Sequence, residues 1–280
     1  MMNKLKSKPL PYTMGNAGDL IKHGLISEFF EWYLKLFKEK GIIYFDPFGG
    51  RPWDSPINPE VKNRLNNLPP CALKSAQNNI DKCYFGSGHI IENIGKIHNI
   101  ETKVYLSDRD NIAYVDLIDS GLSPITLKGF NSESAYSILG CEFPKNKDTL
   151  ILIDPFNDLQ KINTEFLQMI VDLVLNQKVI VALYVLYKNE EIELWDDFTS
   201  LNEKLTKDRL NYHSLLCKKI DNSEIEGESK FNSFISLYMN KSFSNNSQQE
   251  KLSKTVLSYA INLSEILSVD VKYQKYLIKV

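Results

Sequence analysis

A chain of 280 residues with 43% hydrophobic and 11% aromatic content can bury one large core, and a net charge of −2 excludes the strongly basic profile of a protein that coats nucleic acid, though not a local basic face. Cys71, Cys83, Cys141 and Cys217 form no C-x-x-C pair, which argues against a zinc site or a disulfide framework and for free thiols in a reducing compartment. No charged-then-apolar leader and no apolar run near the ~18 residues of a membrane span are seen, so the expected location is the cytoplasm, away from membranes.

Residues 1–14 are basic and contain Pro9 and Pro11, which suits an extended arm. Leu20, Ile21, Leu25, Phe29, Trp32, Tyr33 and Leu36 then recur near a helical period, predicting a helix from about Asp19 to Lys40. Asp19 serves as its N-cap or first-turn acid, and Gly41 as its stop. Lys22 and His23 fall at its start. They read either as an exposed pair on a packing helix or as part of a lid hinged at Gly15 and Gly18.

The run Ile42-Ile43-Tyr44-Phe45-Asp46 ends in an acid and then in Gly49-Gly50, the pattern of a buried strand whose carboxyl edge lets backbone approach a ligand. Residues 51–83, rich in Pro and Asn, read as a small helical insertion. Its end is marked by Gly86-Ser87-Gly88-His89, after which Ile90, Ile91, Ile94 and Ile97 predict a helix.

Val104-Tyr105-Leu106-Ser107-Asp108 is a second run closed by an acid, and one carboxylate at such a place matches two vicinal ribose hydroxyls. The alternative for Asp108 is a solvated turn and helix cap. Residues 125–130 predict a short strand. Thr149-Leu150-Ile151-Leu152-Ile153 predicts a buried parallel strand ending at Asp154-Pro155-Phe156-Asn157. A strand over 178–186 follows a helix containing Phe166, Ile170 and Leu173. Beyond it come a charged helix over 190–210, strand-like runs at 234–239 and 273–280, and loops at 221–232 and 240–252. The fold expected is α/β: a Rossmann-like sheet, mostly parallel with an antiparallel edge, in a single domain over 1–280 with the insertion at about 51–83.

Together these motifs resemble the RlmJ family of bacterial 23S ribosomal RNA adenine-N6 methyltransferases over most of the chain, which implies that the expected sheet is that of a class I methyltransferase. Gly15-Asn16, Asp19 and Lys22-His23 match the family's G-N-x-x-D-x-x-K-H element, which closes over S-adenosylmethionine. Asp46 with Gly49-Gly50 looks like its first cofactor loop, with Phe48 in place of a cofactor-contacting histidine. Ser87 matches the serine of G-S-P, Asp108 the ribose-binding acid, Gly129-Phe130 part of D-G-F with Lys128 for the acid, and Asp154-Pro155 the start of D-P-P-Y. Phe156 and Asn157 stand where that motif has its second proline and its aromatic residue.

The resemblance implies S-adenosyl-L-methionine as cofactor, held by Lys22, His23, Asp46, Phe48, Gly49, Gly50, Ser87, Asp108, Gly129 and Phe130. It implies catalysis by Asp154, Pro155 and Phe156, no metal, and a ribosomal RNA as partner of a monomer or homodimer. A methyltransferase acting on DNA or a small amine, and a non-catalytic binding protein of the same fold, are the alternatives, the second motivated by Lys128 and the altered Asp-Pro-Phe-Asn.

Overall fold

A computed structural model describes residues 13–37, 42–108, 111–122, 148–154, 162–177, 179–207, 209–225 and 227–276. The first element, α1 (Ala17–Leu36), is capped by the Asn16 side chain, which accepts from the Asp19 N–H. The cap is therefore Asn16, Asp19 is the first-turn acid that the sequence also allowed, and the helix ends at Leu36, four residues short of the predicted Lys40, with Phe37 as its C-cap. The strand β1 (Ile42–Asp46) follows. Next comes an excursion containing α2 (Pro59–Asn67) and α3 (Ala72–Ala76), where short helices were expected. Two strands unforeseen in the sequence, β2 (Trp53–Asp54) and β3 (Tyr84–Phe85), pair antiparallel and close its neck.

The chain continues through α4 (Ser87–Ile97), β4 (Lys103–Leu106), α5 (Asn111–Ile118), β5 (Asp148–Ile153), α6 (Thr164–Gln177), β6 (Val179–Tyr187) and α7 (Ile192–Thr206). It ends with β7 (Leu210–Cys217), β8 (Asn232–Asn240), α8 (Asn246–Leu267) and β9 (Val271–Tyr276). The strand predicted at 125–130 lies outside the described residues.

Seven strands form one sheet in the order β4-β1-β5-β6-β8-β7-β9. The pairs β4–β1, β1–β5 and β5–β6 are parallel, and β6–β8, β8–β7 and β7–β9 antiparallel. The mixed sheet with an antiparallel edge is as expected, but that edge has three strands where the sequence indicated two. The additional strand is β7. Its Asn211, His213 and Ser214 disguise it in the sequence, yet all three are buried, and two find polar partners on neighbouring elements. His213 bonds Tyr273 and Gln249 at 2.8 and 2.9 Å, and Ser214 bonds Ser236 at 3.1 Å.

Alternation along β5 sends Leu150 and Leu152 into a core shared with α1, α4 and α8, and Ile151 and Ile153 into a second core shared with α6 and α7. Burying each such side chain contributes about 1.5–3 kcal/mol, so both faces must be covered and the sheet becomes the middle of three layers. One covering helix, α8, was read as loop over 240–252. Asn245 and Gln248 form a reciprocal cap at its start, and Leu252, Val256, Tyr259, Leu263 and Leu267 bury one stripe.

Cys71, Cys83 and Cys217 are free thiols, whereas Cys141 lies outside the described residues. Among the described residues no group of side chains suits a metal ion, and no helix is long and apolar enough to cross a membrane.

Candidate active site

From β1 the described strands step outward to β4 and then return to β5 on the other side of β1. Strand order reverses there, and in open α/β sheets ligands bind in the crevice beyond the carboxyl ends of the two strands concerned. Asp46 closes β1, Asp154 follows β5 and Asp108 follows β4, so all three acids reach the same edge.

Asp46 is 2% exposed and organises the β1 end. Its carboxylate accepts from Ser87 Oγ at 2.6 Å, the Phe48 N–H at 3.0 Å and the Tyr44 hydroxyl at 3.2 Å. Burial pushes its pKa up to about 6, against the Ser87 hydrogen bond and the charge of Lys22. Ser87, at the start of α4, thus ties that helix to β1 as well as facing the crevice.

The loop after β1 is bound to the end of β4, since the Gly49 N–H donates to the Ser107 carbonyl at 2.7 Å and the Gly50 N–H to Asp108 Oδ2 at 2.9 Å. Gly50 has φ +58°, where a side chain would be strained. Asp108 is therefore no mere solvated helix cap: it holds the glycine loop at the crevice.

Lys22 and His23 are not the exposed pair that the sequence allowed. Lys22 Nζ lies 2.7 Å from Asp154 Oδ2 and 2.9 Å from Asp19 Oδ1, and 5.0 Å from the centre of the Tyr184 ring. Burial works against this ammonium, but Asp154 and Asp19 outweigh it and hold its pKa well above the usual lysine value. Asp19, whose Oδ2 also accepts the Gly15 N–H at 2.9 Å, is held below the usual range, with Lys22 overcoming the effect of burial.

His23 is 3% exposed, and its Nδ1 shares a 2.8 Å hydrogen bond with the Tyr84 hydroxyl. Burial and the Lys22 charge, partly offset by Asp19, push it down to about 3, so the imidazole is neutral at pH 7. Gly18 is a close-packing position rather than a hinge: an added Cβ would lie 2.1 Å from the Tyr184 hydroxyl.

Lys22, His23, Asp46, Phe48, Gly49, Gly50, Ser87 and Asp154 all line one cleft, with Asp108 behind its glycine loop. Gly129, Phe130, Pro155 and Phe156 lie outside the described residues, as do Lys128 and Asn157. Asp19, Met14, Arg51 and Gly86 also line the cleft but were not among the expected site residues. Asp19 does belong to the motif that carries Lys22 and His23, as the acid three residues before Lys22 on a helix. Tyr184, in the middle of an apolar strand, carries no local signal. The cleft has a volume of about 40 Å³.

No protein-family model and no curated protein matches this sequence. Among solved structures it is similar to protein LPL1258 from Legionella pneumophila, of family DUF519, with 17% identity and a TM-score of 0.67 over 94% of this chain and 97% of that one. At that identity the likeness is one of fold. A candidate class I S-adenosylmethionine-dependent methyltransferase from Listeria monocytogenes matches with 10% identity and a TM-score of 0.46, over 90% of this chain and 73% of that one. A probable spermidine synthase from Corynebacterium glutamicum matches with 8% identity and a TM-score of 0.45, over 89% and 75% of the two chains. These last two similarities are too weak to carry an inference.

Proposed function

We propose that this chain is an S-adenosylmethionine-dependent methyltransferase acting on an exocyclic amino group, with adenine N6 of an RNA as its target. The observation that carries the reading is the convergence of Lys22, Asp46, Ser87 and Asp154 on one cleft at the sheet's reversal point, with Asp108 bonded to its Gly50 and Lys22 bridging α1 to the end of β5.

The residues present suit that cofactor. A Cβ on Gly49 would come within 3.3 Å of the Ser107 carbonyl and Gly50 has a positive φ, so both positions favour glycine and the loop lines the cleft without side chains there. Asp108 would take the ribose hydroxyls while keeping the Gly50 N–H. Bound there, S-adenosylmethionine supplies an electrophilic methyl group on a sulfonium.

The chain's own contribution centres on Asp154. An aromatic amino nitrogen is a poor nucleophile because its lone pair is delocalised into the ring. A carboxylate accepting one of its hydrogens favours the more tetrahedral nitrogen that forms in the transition state. Lys22 holds Oδ2 and so orients that carboxylate, whose further acceptor sites are the ones an amino group would use. Asp154 acts as an acceptor, and the amino proton leaves to water. An RNA base must also leave its stack, at a cost of a few kcal/mol unless it is already unpaired.

Calorimetry with S-adenosylmethionine and its demethylated product is the first test, and no binding of either at millimolar ligand overturns the reading. Asp108→Ala is expected to weaken binding by about 1–3 kcal/mol. Methyl transfer from labelled cofactor is then followed on total RNA, DNA, ribosomal subunits and small amines. Label in RNA adenine is the expected result; label elsewhere reassigns the target, and binding without transfer to any of them favours the non-catalytic alternative.

A further inference from the structure

Asp19, Lys22 and His23 all ride on the first two turns of α1, so their reach depends on how those turns are held over the strand ends. Two residues remote in sequence, neither lining the cleft, converge on that point. Glu228, in the connection from β7 to β8, is 5% exposed. Its Oε1 accepts the Ala17 N–H and Arg64 Nη1, each at 2.6 Å; its Oε2 accepts Arg64 Nη2 at 3.1 Å and Ser223 Oγ at 2.7 Å. Arg64, in α2, is 6% exposed and also bonds Glu60 through Nε at 3.1 Å.

Two ions so deeply buried are tolerated only when fully hydrogen-bonded, and stability alone is a poor reason for them. What this pair does locally is specific. Ala17 carries one of the N–H groups that a helix start leaves unpaired, and Glu228 brings a negative charge to the positive end of α1. The preceding turn is pinned from the same side: Gly15 has φ +82°, and a Cβ there would lie 2.5 Å from Val61 of α2 and 2.7 Å from the Tyr84 ring. With Gly18 flush against Tyr184, α1 is registered on α2 and β6 at once.

We propose that Glu228 and Arg64 are positioning residues that set the opening turns of α1 so that Lys22 reaches Asp154. The geometry stands by itself; only its consequence for ligand binding rests on the function proposed above.

The test compares wild type with Glu228→Gln and with Arg64→Met/Glu228→Leu, which removes both charges together should the single variant fail to fold. Lysine reactivity toward an acylating ester is mapped by mass spectrometry, with exposed Lys35 as reference and amide exchange in β5 and β6 as the monitor of the sheet. The expected result is Lys22 labelling faster by ~10-fold or more with exchange in β5 and β6 unchanged, the mark of local rather than global opening. Affinity for the demethylated cofactor falls in parallel. Lys22 as slow as in wild type overturns the proposal, and so does a rise matched by faster exchange in both strands, since the pair is then a general stabiliser. Should wild type bind no cofactor, the functional reading fails while the labelling still decides the positioning role.

Discussion

Lys22 Nζ and Asp154 Oδ2 meet at 2.7 Å across 132 residues of chain, joining the second turn of α1 to the end of β5. Both side chains are nearly buried, at 12% and 13% exposure, so the contact is more than a surface ion pair. Lys22→Met keeps much of the side chain's bulk but removes the ammonium that meets both Asp19 and Asp154. We expect a loss of about 3–5 kcal/mol in urea unfolding, along with reduced cofactor affinity. Adding Asp154→Asn to Lys22→Met should restore most of the stability but none of the turnover; a double variant as unstable as the single one contradicts the ion-pair account.

Asp154→Ala should abolish methyl transfer while leaving cofactor binding within a few-fold of wild type, because an acceptor aimed at the amino group contributes mainly in the transition state. Asp154→Asn retains an acceptor of similar shape. Partial activity in that variant supports acceptance of a hydrogen bond, whereas activity as low as in Asp154→Ala points to a required negative charge.

Glu28 is a buried acid that costs the fold stability at neutral pH. Burial pushes it up to about 7 from an ordinary value of 4.5, with Glu31 adding and the Ala72 N–H and Lys35 opposing. Because the folded pKa is the higher one, the stabilisation linked to Glu28 is full below pH 4.5 and is lost as pH rises through 7. Glu28→Gln still accepts the Ala72 N–H but cannot ionise. Relative to wild type it should gain roughly 3 kcal/mol in going from pH 4 to pH 8, at about 1.4 kcal/mol per unit. Melting temperatures of the two proteins at both pH values check this, and parallel profiles contradict it.

Gly18→Ala would place a methyl group 2.1 Å from the Tyr184 hydroxyl and 3.0 Å from Ser233 Oγ. Overpacking of this kind costs about 1–3 kcal/mol. Tyr184→Phe removes the clashing oxygen, so the double variant should be more stable than the sum of the single changes predicts. Additivity in denaturant unfolding would place the α1 start elsewhere on the sheet.

Apolar runs closed by an acid made β1, β4 and β5 legible, together with their terminal Asp46, Asp108 and Asp154, and a proline follows the acid of β1 and of β5. A buried parallel strand is written locally, by residues that cannot face water and a residue that ends them. The helical period of Leu20, Ile21, Leu25, Phe29, Trp32, Tyr33 and Leu36 likewise marked α1, with Lys22 and His23 near its start. The chain alone therefore determined an α/β sheet with acids at one edge, because each of those features depends only on neighbours in sequence.

Tertiary structure decided the rest. β7 escaped notice because Asn211, His213 and Ser214 look solvated until β8, β9 and α8 bury them, with partners for two of the three. Lys22 had no sign of burial in the sequence, since an ammonium enters a protein interior only if carboxylates meet it there, and one of its two comes from β5. Glu228 carried no signal at all. Its role arises where α1, α2 and the β7–β8 connection converge, and contacts made across 164 and 211 residues leave no pattern in the segments that make them.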